Sequence, residues 1–202
     1  MNLPNKISLI RICMIPVFVL FFFLDGVFPF AQGVAATLFV LAACTDFIDG
    51  YIARSRGLVT NLGKFLDPIA DKVLVSTAML LLLTMKEKLF VGLGEWVYVL
   101  LAICVCLIMA RELIISAFRQ IAAANGVIMA ADKLGKYKTI FQDIAMAVLL
   151  FAGGFADFFK EGILWHEYLT ILGMALFVFA TVLTVWSGIT YVLNNKEVLK
   201  DG

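Results

Sequence analysis

Four aspartates stand close together in an otherwise apolar stretch of this chain, at Asp46, Asp49, Asp67 and Asp71. Gly50, Ala53, Arg54 and Gly63 are interleaved with them. The order is Asp46-x-x-Asp49-Gly50-x-x-Ala53-Arg54, then eight residues to Gly63, three to Asp67 and three to Asp71. A carboxylate facing hydrocarbon costs roughly 2.5–3.5 kcal/mol on the mildest insertion scale, so four would cost on the order of 10 kcal/mol uncompensated. Bound cations are the expected compensation. Four carboxylates without imidazole or thiolate select a hard divalent ion, Mg²⁺ or Mn²⁺. Their charge suffices for two ions, which at about 3.5–4 Å separation clamp a phosphoryl group in transfer. The chemistry indicated is phosphoryl transfer at a membrane.

The elements that must position these groups are helices. The chain has 202 residues, of which 63% are hydrophobic and only 15% charged, against about 25% charged in soluble domains. This predicts an all-α integral membrane protein forming one domain over residues 1–202. Six apolar segments of near-spanning length are expected at Ile7–Val27, Val34–Ala53, Asp67–Thr84, Trp96–Ala124, Tyr137–Gly153 and Tyr168–Leu193. The first run continues to Phe23 with no small-residue cleavage site after it, so it reads as a retained helix rather than a signal. Asn2-Leu3-Pro4-Asn5 reads as a turn and cap with a short interfacial stretch, and Gly57–Gly63 as a turn broken by Asn61 and Gly63. Asn125-Gly126 and Gly153-Gly154 are expected to end the fourth and fifth helices.

Helical spacing puts Asp46, Asp49, Gly50, Ala53 and Arg54 on one stripe and stacks Asp67 with Asp71 on another. A short turn between two antiparallel helices then brings the stripes together. The small Gly50 and Ala53 leave room for close approach of substrate or backbone. The fourth segment, at 29 residues, reaches about 43 Å, more than a span requires. Arg111 and Arg119 interrupt its far half about 80° apart around the axis, so both can line one cavity.

Thirteen of the 16 basic residues fall at the N-terminus, the C-terminus and the 2–3 and 4–5 regions, leaving Lys86, Lys88 and Lys160 on the other side. By the positive-inside rule both termini and the polar cavity are cytoplasmic. Cys13, Cys44, Cys104 and Cys106 lie in apolar runs and read as small buried hydrophobes. The single His166 is far from the aspartates. Trp96, Trp165 and Trp186 suit interfacial belts. Phe18, Phe21, Phe22 and Phe23 read as lipid-facing or interhelix packing. Asp143 has no assigned role.

The string D-x2-D-G-x2-A-R-x8-G-x3-D-x3-D, complete here from Asp46 to Asp71, resembles the signature of the CDP-alcohol phosphatidyltransferases. Pro4-Asn5 with Arg11, the run Gly63–Lys72, Ala110-Arg111-Glu112 with Arg119, and Gly135–Thr139 are most similar to the branch that uses glycerol 3-phosphate as acceptor. The resemblance implies transfer of the phosphatidyl group of CDP-diacylglycerol to that acceptor, with release of CMP. It implies that Asp46, Asp49, Asp67 and Asp71 hold two Mg²⁺ or Mn²⁺ ions and that Asp71 is also the base. Gly50, Arg54 and Thr60, with Asn5 and Arg11, are implied for the CDP moiety. Arg111, Arg119, Lys136 and Lys138 are the natural receptor for the acceptor's phosphate, since guanidinium forks match phosphate oxygens. A homodimer in the cell membrane is implied as well, with lipid as surroundings and no nucleic-acid partner.

Three other readings compete. Another acceptor within the family, such as inositol phosphate, serine or phosphatidylglycerol, would keep the aspartates; Arg111, Arg119 and Lys136 argue for a phosphorylated acceptor and so against serine, while only the branch resemblance separates glycerol phosphate from inositol phosphate. A cation transporter would explain intramembrane carboxylates, but transporters show repeat-related broken helices near the midplane, and no internal repeat is present. A non-enzymatic scaffold leaves the aspartates unexplained.

Overall fold

The computed structural model describes residues 3–28, 30–55, 61–124, 133–156 and 163–196. These form seven helices: α1 (Leu3–Phe23), α2 (Ala31–Ser55), α3 (Asn61–Thr84), α4 (Lys86–Leu89), α5 (Glu95–Ala124), α6 (Lys133–Gly154) and α7 (Ile163–Asn194). Among the described residues there is no strand. Helices suit a chain this apolar, because each satisfies its backbone polar groups internally. Three are long and apolar enough to cross a membrane: α1 over Asn5–Phe23, α5 over Glu95–Ala123 and α7 over Trp165–Asn194. The protein is therefore an all-helical membrane protein.

Several expected boundaries are corrected. Leu3, Pro4 and Asn5 lie inside α1 rather than in a turn. Proline is tolerated in a first turn because its missing N–H would have had no helical partner there. Asn61 and Gly63 begin α3 instead of breaking it. Gly63 is buried within the first turn of that helix. α5 ends at Ala124 and α6 at Gly154, as the glycine and asparagine signals indicate.

The helices pack through small residues. Ala35, Ala36, Ala78, Ala145, Ala152 and Ala180 are fully buried, which lets backbones approach closely where lipid gives no hydrophobic drive for association. At Gly154 an added Cβ would lie 2.9 Å from the Gln32 carbonyl, so α6 crosses α2 in backbone contact. Phe18, Phe39 and Phe177 fill the wider parts of the core. Phe18 and Phe22 are thus buried, while Phe23 points outward. Leu20, Ile103, Leu113, Val182 and Leu193 are also exposed, an outer surface suited to acyl chains. The cysteine expectation holds only for Cys104; Cys13, Cys44 and Cys106 are exposed. Trp96, Trp165 and Trp186 are all exposed.

Polar contacts separate the two ends of the bundle. At one end Lys88 Nζ donates to Asp25 Oδ2 at 2.6 Å and to Gln32 Oε1 at 3.0 Å, and Lys86 pairs with Glu95 at 3.1 Å. That end holds the α1–α2 connection, α4 and the start of α5. The other end gathers the start of α1, the start of α3, the last half of α5, the start of α6 and the end of α7.

Candidate active site

The α3 aspartates are placed by α1 as well as by their own helix. Ser8 is buried on α1, and its hydroxyl donates to Asp67 Oδ1 at 2.5 Å. Asp71 follows one turn later on the same face of α3, and both aspartates are partly buried. Pro68 sits between them inside the helix, where its ring leaves one helical carbonyl without an N–H donor. Asp46, Asp49, Gly50 and Arg54 fall in the last three turns of α2, which packs against α3. Thr60 lies outside the described residues, as do the side chains of Asp46, Asp49, Arg54 and Lys136. Among the described side chains no three metal-ligating groups converge. The described part of the aspartate set is the Asp67–Asp71 pair, an oxygen-only donor set of the type hard divalent cations prefer.

Asn5 and Arg11 are both buried on α1. Arg11 is fully enclosed and its Nε donates to the Ala42 carbonyl of α2 at 3.2 Å. This bond ties α1 to α2 one turn before Asp46.

The basic half is built from α5, α6 and α7. Arg111 Nη1 donates to Glu112 Oε1 at 3.1 Å, and Nη2 donates to Ser187 Oγ on α7 at 3.0 Å. Lys138 of α6 is buried and pairs closely with the same Glu112 oxygen. One carboxylate thus holds an arginine of its own helix and a lysine of the next. Arg119, two turns beyond Arg111, donates from Nε to the Tyr191 hydroxyl at 3.2 Å, with its guanidinium 5.2 Å from the Tyr191 ring centroid. Lys72, adjacent to Asp71, is in close hydrogen-bond contact with Ser116 of α5. The acidic and basic helices are therefore linked directly.

The arrangement brings together Asp67, Asp71, Arg111, Arg119 and Lys138 at one end of the bundle through a chain of contacts between neighbouring helices. Spacing in the sequence assigns no role to Ser8, Glu112, Ser116, Ser187, Gly188 or Tyr191. A signal for the α7 group is present: Ser187, Gly188 and Tyr191 fall at i, i+1 and i+4, a small and polar patch on an apolar helix.

These features define a class: all-helical membrane proteins with an acidic and a basic group of side chains facing one end of the bundle. The model of the CDP-alcohol phosphatidyltransferase family matches residues 1–188. The chain belongs to that family. It is similar to proteins named CDP-diacylglycerol–glycerol-3-phosphate 3-phosphatidyltransferase in several bacteria. The Bacillus subtilis (strain 168) protein is 38% identical over 98% of this chain and 97% of its own length. That of Rickettsia bellii is 37% identical over 94% and 93%, and that of Shigella flexneri 39% identical over 99% and 98%.

Proposed function

We propose that this chain transfers the phosphatidyl group of CDP-diacylglycerol to glycerol 3-phosphate, giving phosphatidylglycerophosphate and CMP. The observation that carries this reading is the placement of three cations, Arg111, Arg119 and Lys138, at the same end of the bundle as Asp67 and Asp71. A phosphorylated, charged acceptor needs such a receptor, whereas serine does not. The names of the near-full-length relatives support the same reaction.

In this mechanism Asp46, Asp49, Asp67 and Asp71 would hold two Mg²⁺ or Mn²⁺ ions. When bound, these supply charge neutralisation for the pyrophosphate and its leaving group. Gly50, Arg54 and Thr60, with Asn5 and Arg11, bind the CDP moiety. Arg111, Arg119, Lys136 and Lys138 seat the acceptor's phosphate and so aim its free hydroxyl at the aspartates. Asp71 takes the hydroxyl proton as the oxygen bonds to the β-phosphorus. The bond from that phosphorus to the bridging oxygen breaks, and CMP leaves with the electron pair. Carboxylates carried on packed helices need little reorganisation at that moment, which is the general advantage of a preorganised site.

The same reading puts six spans in the cell membrane, with both termini and the site on the cytoplasmic side. Its support is the clustering of thirteen basic residues at that end. The family resemblance supports a homodimer.

The test is CMP release by purified protein given CDP-diacylglycerol and, in parallel, glycerol 3-phosphate, inositol 1-phosphate, serine or phosphatidylglycerol. Release confined to glycerol 3-phosphate is the expected result. Equal or faster release with another acceptor would reject the assignment.

A further inference from the structure

The basic half of the site is held mainly by α7, a helix to which nothing so far assigns a part in the reaction. Arg111 meets α7 at two adjacent positions. Its Nη2 donates to Ser187 Oγ at 3.0 Å, while the Ser187 hydroxyl donates to the Thr184 carbonyl at 3.2 Å. The serine proton is thereby engaged along its own helix, which turns an oxygen lone pair toward the guanidinium. At the next residue, Gly188, an added Cβ would stand 2.9 Å from Arg111 Cγ and 3.2 Å from its Nε. Any larger residue would push the arginine stem aside, so the glycine is a slot cut to the side chain that crosses it.

Arg119 meets α7 one turn later. Tyr191 offers it both a hydroxyl oxygen at 3.2 Å and a ring face, with the guanidinium carbon 5.2 Å from the centroid. Arg119 itself is exposed, and an exposed arginine ordinarily samples many rotamers. Tyr191 does not: it is buried in a small apolar cluster with Ile115 and Phe118, apart from the main core. Its ring packs edge-on against Phe118 at 6.2 Å and 72°. This satellite cluster sets a packed aromatic platform under an exposed cation. A platform of this kind restricts the guanidinium without consuming all its donors, since only Nε is engaged by the hydroxyl and the terminal nitrogens stay available to a phosphate.

We propose that Ser187, Gly188 and Tyr191 of α7 are positioning residues for the acceptor's phosphate, the first two fixing Arg111 and the third fixing Arg119. The inference rests on the reading of Arg111 and Arg119 as the phosphate receptor, and deepens it. These residues act through the arginines and touch no reacting atom. Binding of a dianion by preset guanidinium forks costs less ordering than binding by free ones. Loss of the platform should therefore appear in the acceptor's KM.

The test uses the full chain in detergent–lipid micelles with CDP-diacylglycerol and glycerol 3-phosphate. Arg119→Ala serves as reference and should raise the acceptor's KM roughly tenfold to a hundredfold. Tyr191→Phe keeps the ring and loses one hydrogen bond, and should raise it about fivefold. Tyr191→Leu loses the ring as well and should raise it more than about tenfold. Neither should change the KM for CDP-diacylglycerol. Tyr191→Phe added to Arg119→Ala should do no further harm, because the tyrosine's effect passes through that arginine.

Independent KM increases in that double variant would overturn the inference while leaving the phosphate reading intact. An unchanged acceptor KM in Arg119→Ala would overturn both. If Tyr191→Leu does not accumulate, Tyr191→Phe alone decides the Arg119 part, and Ser187→Ala with Ser187→Thr decides the Arg111 part. The alanine should raise the acceptor's KM and the threonine, which keeps the hydroxyl, should restore it. Equal KM for the two would overturn the Arg111 part.

Discussion

Glu112→Gln should destabilise the protein and do so through Lys138. The carboxylate of Glu112 accepts from Arg111 Nη1 at 3.1 Å and from Lys138 Nζ, with side chains 33%, 13% and 7% exposed in that order. Removing one partner of a fully buried pair costs roughly 3–5 kcal/mol, because the other charge is left without compensation. An exposed pair contributes only about 0.2–1 kcal/mol. Lys138 is at the buried limit and Glu112 is a third open to solvent, so the intermediate value of about 2 kcal/mol is expected. Glutamine retains the shape and one acceptor oxygen, which isolates the loss of charge. The assay is reversible unfolding in mixed detergent–SDS micelles followed by far-UV circular dichroism. Lys138→Met in the Glu112→Gln background should recover most of the loss, since an apolar side chain then replaces an uncompensated cation. The reasoning fails if the two substitutions add to within about 0.3–0.5 kcal/mol, the range for independent sites.

Excess chelator should abolish transfer, and Mg²⁺ or Mn²⁺ should restore it; full turnover in chelator would reject carboxylate-held ions. Asp71→Asn should lower turnover by roughly 10²–10⁴-fold, the usual loss for a missing base, while CDP-diacylglycerol still binds. Near-normal turnover in that variant would remove the base role. Ser8→Ala should raise the Mg²⁺ concentration needed for half-maximal activity by about 10–100-fold, as loss of a group orienting a metal ligand typically does. The same shift should appear in Mg²⁺-dependent thermal stabilisation without substrate, and its absence would show that the Ser8–Asp67 bond serves packing alone.

The helical architecture and the stacking of Asp67 and Asp71 on one face of α3 were legible because both follow from rules of one dimension. Apolar runs of spanning length mark the helices, and charges inside such runs are too costly to be incidental. Helix starts were harder to read. Leu3-Pro4-Asn5 and Asn61–Gly63 carry turn residues, yet they are helical, because proline is harmless in a first turn and a single glycine costs a helix only about 1 kcal/mol. The cysteines show a second limit. In water an apolar residue is expected inside, but in lipid the outer face is apolar too, so Cys13, Cys44 and Cys106 lie outward. The α7 partners of the arginines were not legible at all. Ser187, Gly188 and Tyr191 are some seventy residues away from them in sequence, and only the packing of α7 on α5 brings the two together.

The contact between Lys72 and Ser116 has a metric consequence. It fastens the helix that carries Asp71 to the helix that carries Arg111 and Arg119, so sliding one past the other would break it. The separation between Asp71 and the guanidinium groups is then a property of the scaffold rather than of the ligand. On the proposed reading the site measures its acceptor, from phosphate at one end to nucleophilic oxygen at the other. Two acceptors of equal charge would be told apart by their length. Glycerol 3-phosphate presents a hydroxyl on the carbon chain that bears its phosphate, and a longer or more rigid alcohol would put its oxygen past the phosphorus or short of it.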